Sequence, residues 1–159
     1  MSEKVRYFED VADDERLETG SYLVTEAEIL DFASQYDPQP FHIDPEAAAR
    51  GPFGRLAASG WHTLGIMMHL MVTHREGGMP GLASPGFEDL EWRRPVFAGD
   101  RLRVVSEVAE KRPSRTKPIG IVKFATRVLN QDDQAVLEIV TIGRYRRRAS
   151  TGTGAEAGG

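Results

Sequence analysis

Asp37 and His42 are the first side chains in this sequence that could carry out acid–base chemistry together. Four residues separate them, and two of these, Pro38 and Pro40, restrict the backbone. Proton transfer to carbon needs an acid and a base held in fixed relative positions. The segment therefore predicts a stiff loop that carries a catalytic pair. The same residues could instead be structural, with Asp37 capping a turn and His42 packed as a buried histidine.

The second candidate is a run of small residues, Ala57-Ala58-Ser59-Gly60, directly before an apolar segment that begins at Trp61. Unpaired amides and the helix dipole favour negative charge at the start of a helix. Because Gly60 has no side chain, its amide could approach a substrate carbonyl and form an oxyanion site. Ordinary helix capping by Ser59 explains these residues equally well.

The composition limits the classes of protein to which the chain can belong. Its 159 residues suit one domain, and 40% hydrophobic residues suffice for a core. The absence of cysteine excludes disulfides, thiolate metal sites and a cysteine nucleophile. A net charge of −4 argues against a nucleic-acid-binding surface. The charged N-terminus lacks an apolar signal region, and the apolar stretch Leu64–Val72 is too short to span a bilayer. We therefore expect a cytoplasmic protein that binds neither nucleic acid nor membrane.

The first half of the chain predicts helices. Residues 21–24 predict a short strand, and Thr25 with Glu28 forms a capping-box pattern that should open a helix ending near Tyr36. Asp44, followed by a proline, is typical of another helix start. Residues 61–75 are apolar nearly all round, which predicts a buried helix.

The second half predicts long strands. Apolar and polar residues alternate over 101–108 and 122–128, and the turn residues 130–133 should return 135–145 antiparallel to the preceding strand. The predicted fold class is therefore α+β, an antiparallel sheet wrapped on one helix. Residues 149–159 lack apolar side chains and are expected to be a disordered tail.

Other chemical patterns are weak or missing. The histidines on the apolar helix (His62, His69 and His74) lack metal-ligand spacing, and the sequence holds no phosphate loop, dinucleotide fingerprint or nucleophile elbow. We therefore expect neither a metal nor another cofactor. The basic run 110–117 predicts either solvated surface or a phosphate contact.

Three motifs, in order, give the sequence a family resemblance over about residues 8–148. Residues 37–44, DPQPFHID, resemble the D-x-N-P-x-H-x-D signature of the MaoC-like dehydratases, the (R)-specific enoyl-CoA hydratases. Residues 53–61 resemble that family's approach to its central helix. Residues 90–100 resemble its F-x-x-P-V-x-x-G-D stretch.

The resemblance implies a hotdog fold, an antiparallel sheet around a central helix at about 60–75, in one domain over residues 1–148. It implies hydration of a trans-2-enoyl-CoA to a (3R)-hydroxyacyl-CoA, or the reverse dehydration. By the same resemblance Asp37 and His42 would hold and activate water, and the amide of Gly60 would polarise the thioester carbonyl. Which member of the pair acts first as base stays open.

The resemblance also implies how the substrate is held. The expected substrate-binding residues lie close to the pair in the sequence or at the start of the central helix: Gln39, Pro40, Phe41, Ser59 and Trp61. Several cations could bind the phosphates of coenzyme A: Arg93, Arg94, Lys111, Arg112, Arg115 and Lys117. Four residues depart from the family pattern and should reshape the pocket: Tyr36, Gln39, Ser59 and Met68. The expected partners are an acyl-CoA thioester and a second copy of the chain. A thioesterase on the same fold and a non-catalytic acyl-CoA-binding subunit are the alternatives.

Overall fold

The structure of the chain is a computed structural model that describes residues 4–149. After a 3-10 turn at Phe8–Asp10, six strands and four helices follow in the chain order β1, β2, α1, α2, α3, α4, β3, β4, β5, β6. Their bounds are β1 Arg16–Glu18, β2 Tyr22–Leu23, α1 Glu26–Tyr36, α2 Pro40–Ile43, α3 Pro45–Ala49, α4 Gly60–His74, β3 Phe87–Trp92, β4 Arg101–Pro113, β5 Ile119–Leu129 and β6 Ala135–Arg146.

The strands form one antiparallel sheet in the order β1-β4-β5-β6-β3, and β2 pairs with another part of β4. The three long strands β4, β5 and β6 are the meander that the alternating pattern predicts. Helix α4 lies in the curve of this sheet, and its inner side chains share one core with those of β4, β5 and β6; the core includes Ile66, Met67, Leu70, Met71, Leu102, Val104, Val128, Leu137 and Ile139. The predicted hotdog fold is thereby confirmed.

The central helix α4 is not buried all round, so that prediction was wrong in part. Its inner face is covered by the sheet, but Trp61, Met68 and Val72 are 55%, 48% and 47% exposed. A single sheet can cover only one side of a helix. Within residues 4–149, the outer side of α4 therefore exposes several apolar side chains that nothing covers.

Helix α1 ends at the predicted residue but begins with only half of the predicted capping box. The hydroxyl of Thr25 accepts a hydrogen bond from the amide of Glu28, at 3.3 Å. The carboxylate of Glu28 accepts from the Thr25 hydroxyl rather than from its amide. Its other oxygen lies 3.3 Å from Nε2 of His62, so α1 and α4 are joined at this point.

The predicted stiff loop between α1 and α3 contains a short helix, α2, which the sequence analysis did not identify. Pro40 is its first residue, where its fixed φ favours a helical turn and its missing N–H costs nothing. His42 therefore lies on a helical turn rather than on a loop. Asp44 caps α3 as predicted, since its carboxylate accepts from the amides of Glu46 and Ala47.

The third family-like motif forms the turn that enters β4. The buried carboxylate of Asp100 accepts from the amide of Phe97 at 2.9 Å and from the side chain of Gln131 at 3.0 Å. Just before this turn, the carbonyl of Val96 accepts from the amide of Ala58, at 2.8 Å. The motif thus fixes the segment that leads into α4.

Two further expectations concern the ends of the chain and membranes. The predicted disordered tail lies, from residue 150 onward, outside the described residues, and the single domain over 1–148 stays a prediction. Among the described helices, none combines the length and apolar content needed to span a bilayer.

Candidate active site

The imidazole of His42 is buried and has a defined orientation. Its Nδ1 lies 2.6 Å from the carbonyl oxygen of Ala57. Because a carbonyl can only accept, Nδ1 must carry the hydrogen and donate it. In neutral His42, Nε2 is therefore the basic nitrogen, and it faces Asp37. The sequence did not predict that Ala57 orients His42, because the contact is made by a backbone carbonyl, which every residue has.

The carboxylate of Asp37 completes the predicted pair. Asp37 is the C-cap of α1, and its Oδ2 lies 3.4 Å from Nε2 of His42. The same Oδ2 accepts from the hydroxyl of Ser59 at 2.7 Å, and Oδ1 accepts from the side-chain amide of Gln39, also at 2.7 Å. Two donors therefore hold the carboxylate in one orientation.

The electrostatic balance at Asp37 favours its ionised form. Partial burial tends to raise the pKa of Asp37, but the hydrogen bonds from Ser59 and Gln39, together with the nearby imidazole of His42, outweigh it. The pKa of this carboxyl therefore lies below its ordinary value. An ionised Asp37 can stabilise an imidazolium at His42 and can accept a hydrogen bond from water.

Gly60 begins α4 beside this pair, as predicted. The hydroxyl of Ser59 caps the helix by accepting from the amide of Trp61, at 3.3 Å. The amide of Gly60 itself donates to no acceptor within residues 4–149. The indole of Trp92 lies against the Cα of Gly60, where any β-carbon would collide with it.

The pair and Gly60 share a pocket of about 430 Å³. The predicted substrate-binding residues Gln39, Phe41 and Trp61 also line it. Pro40 does not line it. Ser59 does not line it either, because this residue is fully buried and its hydroxyl donates to Asp37. The lining also includes the candidate cations Arg93 and Arg94, and four further residues that were not predicted to bind substrate: Phe53, Trp92, Pro95 and Val96.

A larger cavity of about 800 Å³ adjoins this pocket and runs along one side of α4, between that helix, residues 79–87 and strands β5 and β6. Trp61 lines both, and its ring meets that of Trp92 edge-on at a centroid distance of 5.6 Å. The walls of the cavity are mostly apolar and include four methionines: Met67, Met68, Met71 and Met79. Methionine side chains are flexible and can fit apolar ligands of different shapes.

The predicted phosphate-binding cations fall into two groups. Arg93 and Arg94 line the catalytic pocket. Arg93 is paired with Glu138, whereas the guanidinium of Arg94 donates only to the carbonyl of Ala135, at 3.0 Å, among the described residues. The basic run 110–117 begins about 20 Å along β4 from Val104, which lies across the sheet from Trp92 in the pocket wall.

The histidine on the inner side of α4, His62, has a structural environment. Its ring stacks on Phe32 at a centroid distance of 4.9 Å and faces Glu28. Burial lowers the pKa of His62, and the charge and hydrogen bond of Glu28 only partly oppose this. Within residues 4–149 no group of three or more His, Asp or Glu side chains is placed to hold a metal ion.

Comparison with known proteins gives one family. A family model described as "MaoC like domain" matches residues 8–129. Among curated proteins, the 3-hydroxybutyryl-CoA dehydratase of Methylorubrum extorquens is 33% identical over 120 residues, which cover 72% of this chain and 71% of that protein.

Solved structures agree with this match. The MaoC-like dehydratase from Rhodospirillum rubrum is 38% identical, with a TM-score of 0.81 over 91% of this chain and 99% of that one. The unliganded R-hydratase PhaJ1 from Pseudomonas aeruginosa is 27% identical, with a TM-score of 0.71 over 90% of this chain and 86% of that one.

Proposed function

This chain belongs to the MaoC-like domain family, and we propose that it is an (R)-specific enoyl-CoA hydratase, or in the reverse direction a 3-hydroxyacyl-CoA dehydratase. The observation that carries the proposal is the approach of Nε2 of His42 to Oδ2 of Asp37, at 3.4 Å, beside Gly60 in one pocket. The names of the relatives support the same reaction class.

The geometry gives each member of the pair a role in hydration. A water held between Asp37 and His42 loses a proton to Nε2 of His42 while its oxygen bonds to the β-carbon of the enoyl group. The pair then returns a proton to the α-carbon. The product gains O–H on one carbon and H on the other, and the pair ends in its starting state.

His42 is the better base because of the hydrogen bonds around it. Both oxygens of Asp37 already accept from Ser59 and Gln39, which makes this carboxylate a weak proton acceptor. Nε2 of His42 has no such donor among the described residues, since only Nδ1 is bound, to Ala57. Asp37 then orients the water and stabilises the imidazolium.

The start of α4 supplies the electrostatic part of the reaction. Negative charge builds up on the thioester oxygen as water adds to the β-carbon. The unengaged amide of Gly60 and the positive end of the helix dipole can stabilise that charge. The hydroxyl of Ser59 bonds both to this helix end and to Asp37, so the Gly60 amide and the carboxylate keep their relative positions.

The two cavities suit the two ends of an acyl-CoA. The apolar cavity beside α4 would take the acyl chain, and Arg94 at the rim of the catalytic pocket would meet a phosphate of coenzyme A. The cations of the basic run 110–117 lie farther along the sheet, so Arg94 is the nearer candidate for this contact. Location in the cytoplasm stays a prediction.

We further propose that two copies pair through strand β3. Among the described residues this strand pairs only with β6 and leaves its other edge open, and its terminal side chains Phe87 and Trp92 are exposed. Open edges are normally paired or covered. Light scattering should give twice the mass of the chain, and a stable monomer at micromolar concentration would refute the pairing.

The decisive experiment measures two products in parallel from the same enoyl-CoA. Hydration removes the ultraviolet absorbance of the conjugated double bond without releasing thiol. A thioesterase releases free thiol instead. Loss of absorbance with a (3R)-hydroxyacyl product supports the proposal. Thiol release without hydration would make the protein a thioesterase. If no acyl-CoA in a panel of chain lengths reacts in either way, the alternative of a non-catalytic acyl-CoA-binding subunit is favoured.

A further inference from the structure

The apolar cavity beside α4 runs from the catalytic pocket to a cation. Its helix-side lining follows one stripe, at Trp61, Leu64, Met68, Met71 and Arg75, about one turn apart. A helix of 15 residues is about 22 Å long, so the cavity leads from the reaction site to the C-terminal end of α4. A long acyl chain that enters at Trp61 would point towards Arg75.

The guanidinium at this end has unused donors. Nη1 of Arg75 donates to the hydroxyl of Tyr145 at 3.3 Å, and the group lies over the ring of Phe124. Its Nε is buried and has no hydrogen-bond partner in the described part of the chain. Its Nη2 donates to no group in residues 4–149 and is not among the buried nitrogens, so an acceptor in the cavity can bond to it.

Tyr145 adds a second donor. Its hydroxyl accepts from Arg75, and within residues 4–149 no acceptor lies at hydrogen-bond distance for its own hydrogen. Burial raises the pKa of Tyr145, which keeps the phenol protonated despite the nearby arginines. Arg75 and Tyr145 thus form a pair of donors at the end of an apolar cavity.

Arg6 and Arg75 both lie within electrostatic range of one carboxylate, Glu15. Glu15 accepts from Arg6 with both oxygens. Asp10 is paired with Arg148. Arg75 forms no ion pair with any carboxylate in residues 4–149. An anion in the cavity would balance it.

We propose that Arg75 and Tyr145 bind a carboxylate at the far end of the acyl chain, so that the protein prefers ω-carboxylated acyl thioesters to methyl-terminated ones. A carboxylate can accept two parallel hydrogen bonds from a guanidinium and one from the phenol. The inference rests on the proposed function, since it takes an acyl thioester as the ligand.

Binding of saturated acyl-CoAs tests the inference without the chemical step. Pairs that differ only in the terminal group, carboxylate or methyl, are titrated by calorimetry over a series of chain lengths. The wild type should bind the carboxylated member more tightly once the chain is long enough to reach Arg75, and not at short lengths. Arg75→Gln should weaken binding of the carboxylated acyl-CoA about ten- to hundredfold, because its charged hydrogen bonds are lost. Binding of the methyl-terminated acyl-CoA should not change.

Three further variants make the result specific. Tyr145→Phe should remove a smaller part of the preference, and Arg75→Lys should keep part of it because the charge remains. Arg127→Gln, at an exposed position of β5, should change nothing. Equal binding of both members by the wild type, or an unchanged preference in Arg75→Gln, would overturn the inference. The hydration assay is scored separately, so either proposal can fail while the other stands.

Discussion

The indole of Trp92 occupies the space that a side chain on Gly60 would need. A β-carbon on Gly60 would lie 2.4 Å from both Nε1 and Cε2 of Trp92, far closer than real β-carbons approach other atoms. A side chain on Gly60 would therefore have to displace the indole at the end of edge strand β3 or the first turn of α4.

Gly60→Ala should lower both stability and turnover. The new methyl group must displace the indole or the first turn of α4, which should cost about 1–3 kcal/mol in the free energy of unfolding. Trp92→Leu makes room, so the double variant should regain most of that loss. Denaturant unfolding and turnover of the four proteins measure the coupling. Additive losses would mean that the two residues do not compete for this space.

Removing either member of the catalytic pair should lower turnover by at least about 10²-fold. Asp37→Asn keeps the shape but loses the charge, and His42→Ala loses the base. The double variant should cost little more than the worse single one, because the two groups act as one unit. Asp44→Asn is the matched control, since asparagine caps a helix as well as aspartate does. Wild-type hydration by Asp37→Asn would contradict the mechanism.

Ser59→Ala should move the acid side of the pH–rate profile to higher pH. Asp37 loses a donor that favours its charged form, so the pKa of Asp37 rises and the pair binds a proton more readily as the pH falls. Gln39→Met removes the other donor without touching the helix cap and should shift the profile in the same direction. Lower stability with an unmoved profile would mean that Ser59 serves only as a cap.

Arg94→Gln should raise the Michaelis constant for acyl-CoA more than it lowers turnover, because the contact is remote from the reacting carbons. The effect should shrink as salt screens the exposed charge. Neutralising Arg115 and Lys117 together, on the exposed hairpin, should change neither constant. The reverse result would place the phosphate site at that hairpin.

His62 should make the protein less stable in weak acid. Its folded-state pKa is lowered by burial, so below about pH 6.5 the unfolded chain binds a proton that the folded chain resists. The free energy of unfolding should therefore fall between about pH 7 and pH 5, and less so in His62→Gln. His69→Gln, at an exposed position of the same helix, should follow the wild type. If the free energy of unfolding depends on pH in the same way in all three proteins, His62 is not the cause of the loss of stability.

The sequence predicted the parts of the fold that depend on local patterns. Alternation gave the long strands, and the cap at Thr25 and the proline after Asp44 gave two helix starts. Edge strand β3 was missed, because its mainly exposed residues alternate weakly and one of them, Asp89, has a positive φ at a register shift. The exposed face of α4 was missed because composition cannot tell how much of a helix one sheet covers.

At the site, the sequence predicted the groups but not their contacts. Asp37, His42 and Gly60 were placed together by motif order, and the structure brings them to one pocket. Their roles there remain proposals. The carbonyl of Ala57 and the indole of Trp92 come from segments distant along the chain, so no local spacing could indicate them.

The edge-on contact between Trp61 and Trp92 makes the site observable without a label. These are the only two tryptophans in the sequence, and both line the catalytic pocket. Tryptophan fluorescence therefore arises entirely from the lining of this pocket, and both rings are about half exposed. Ligand entry should therefore change emission intensity and wavelength directly, and stopped-flow mixing could time acyl-chain binding separately from the loss of the double bond.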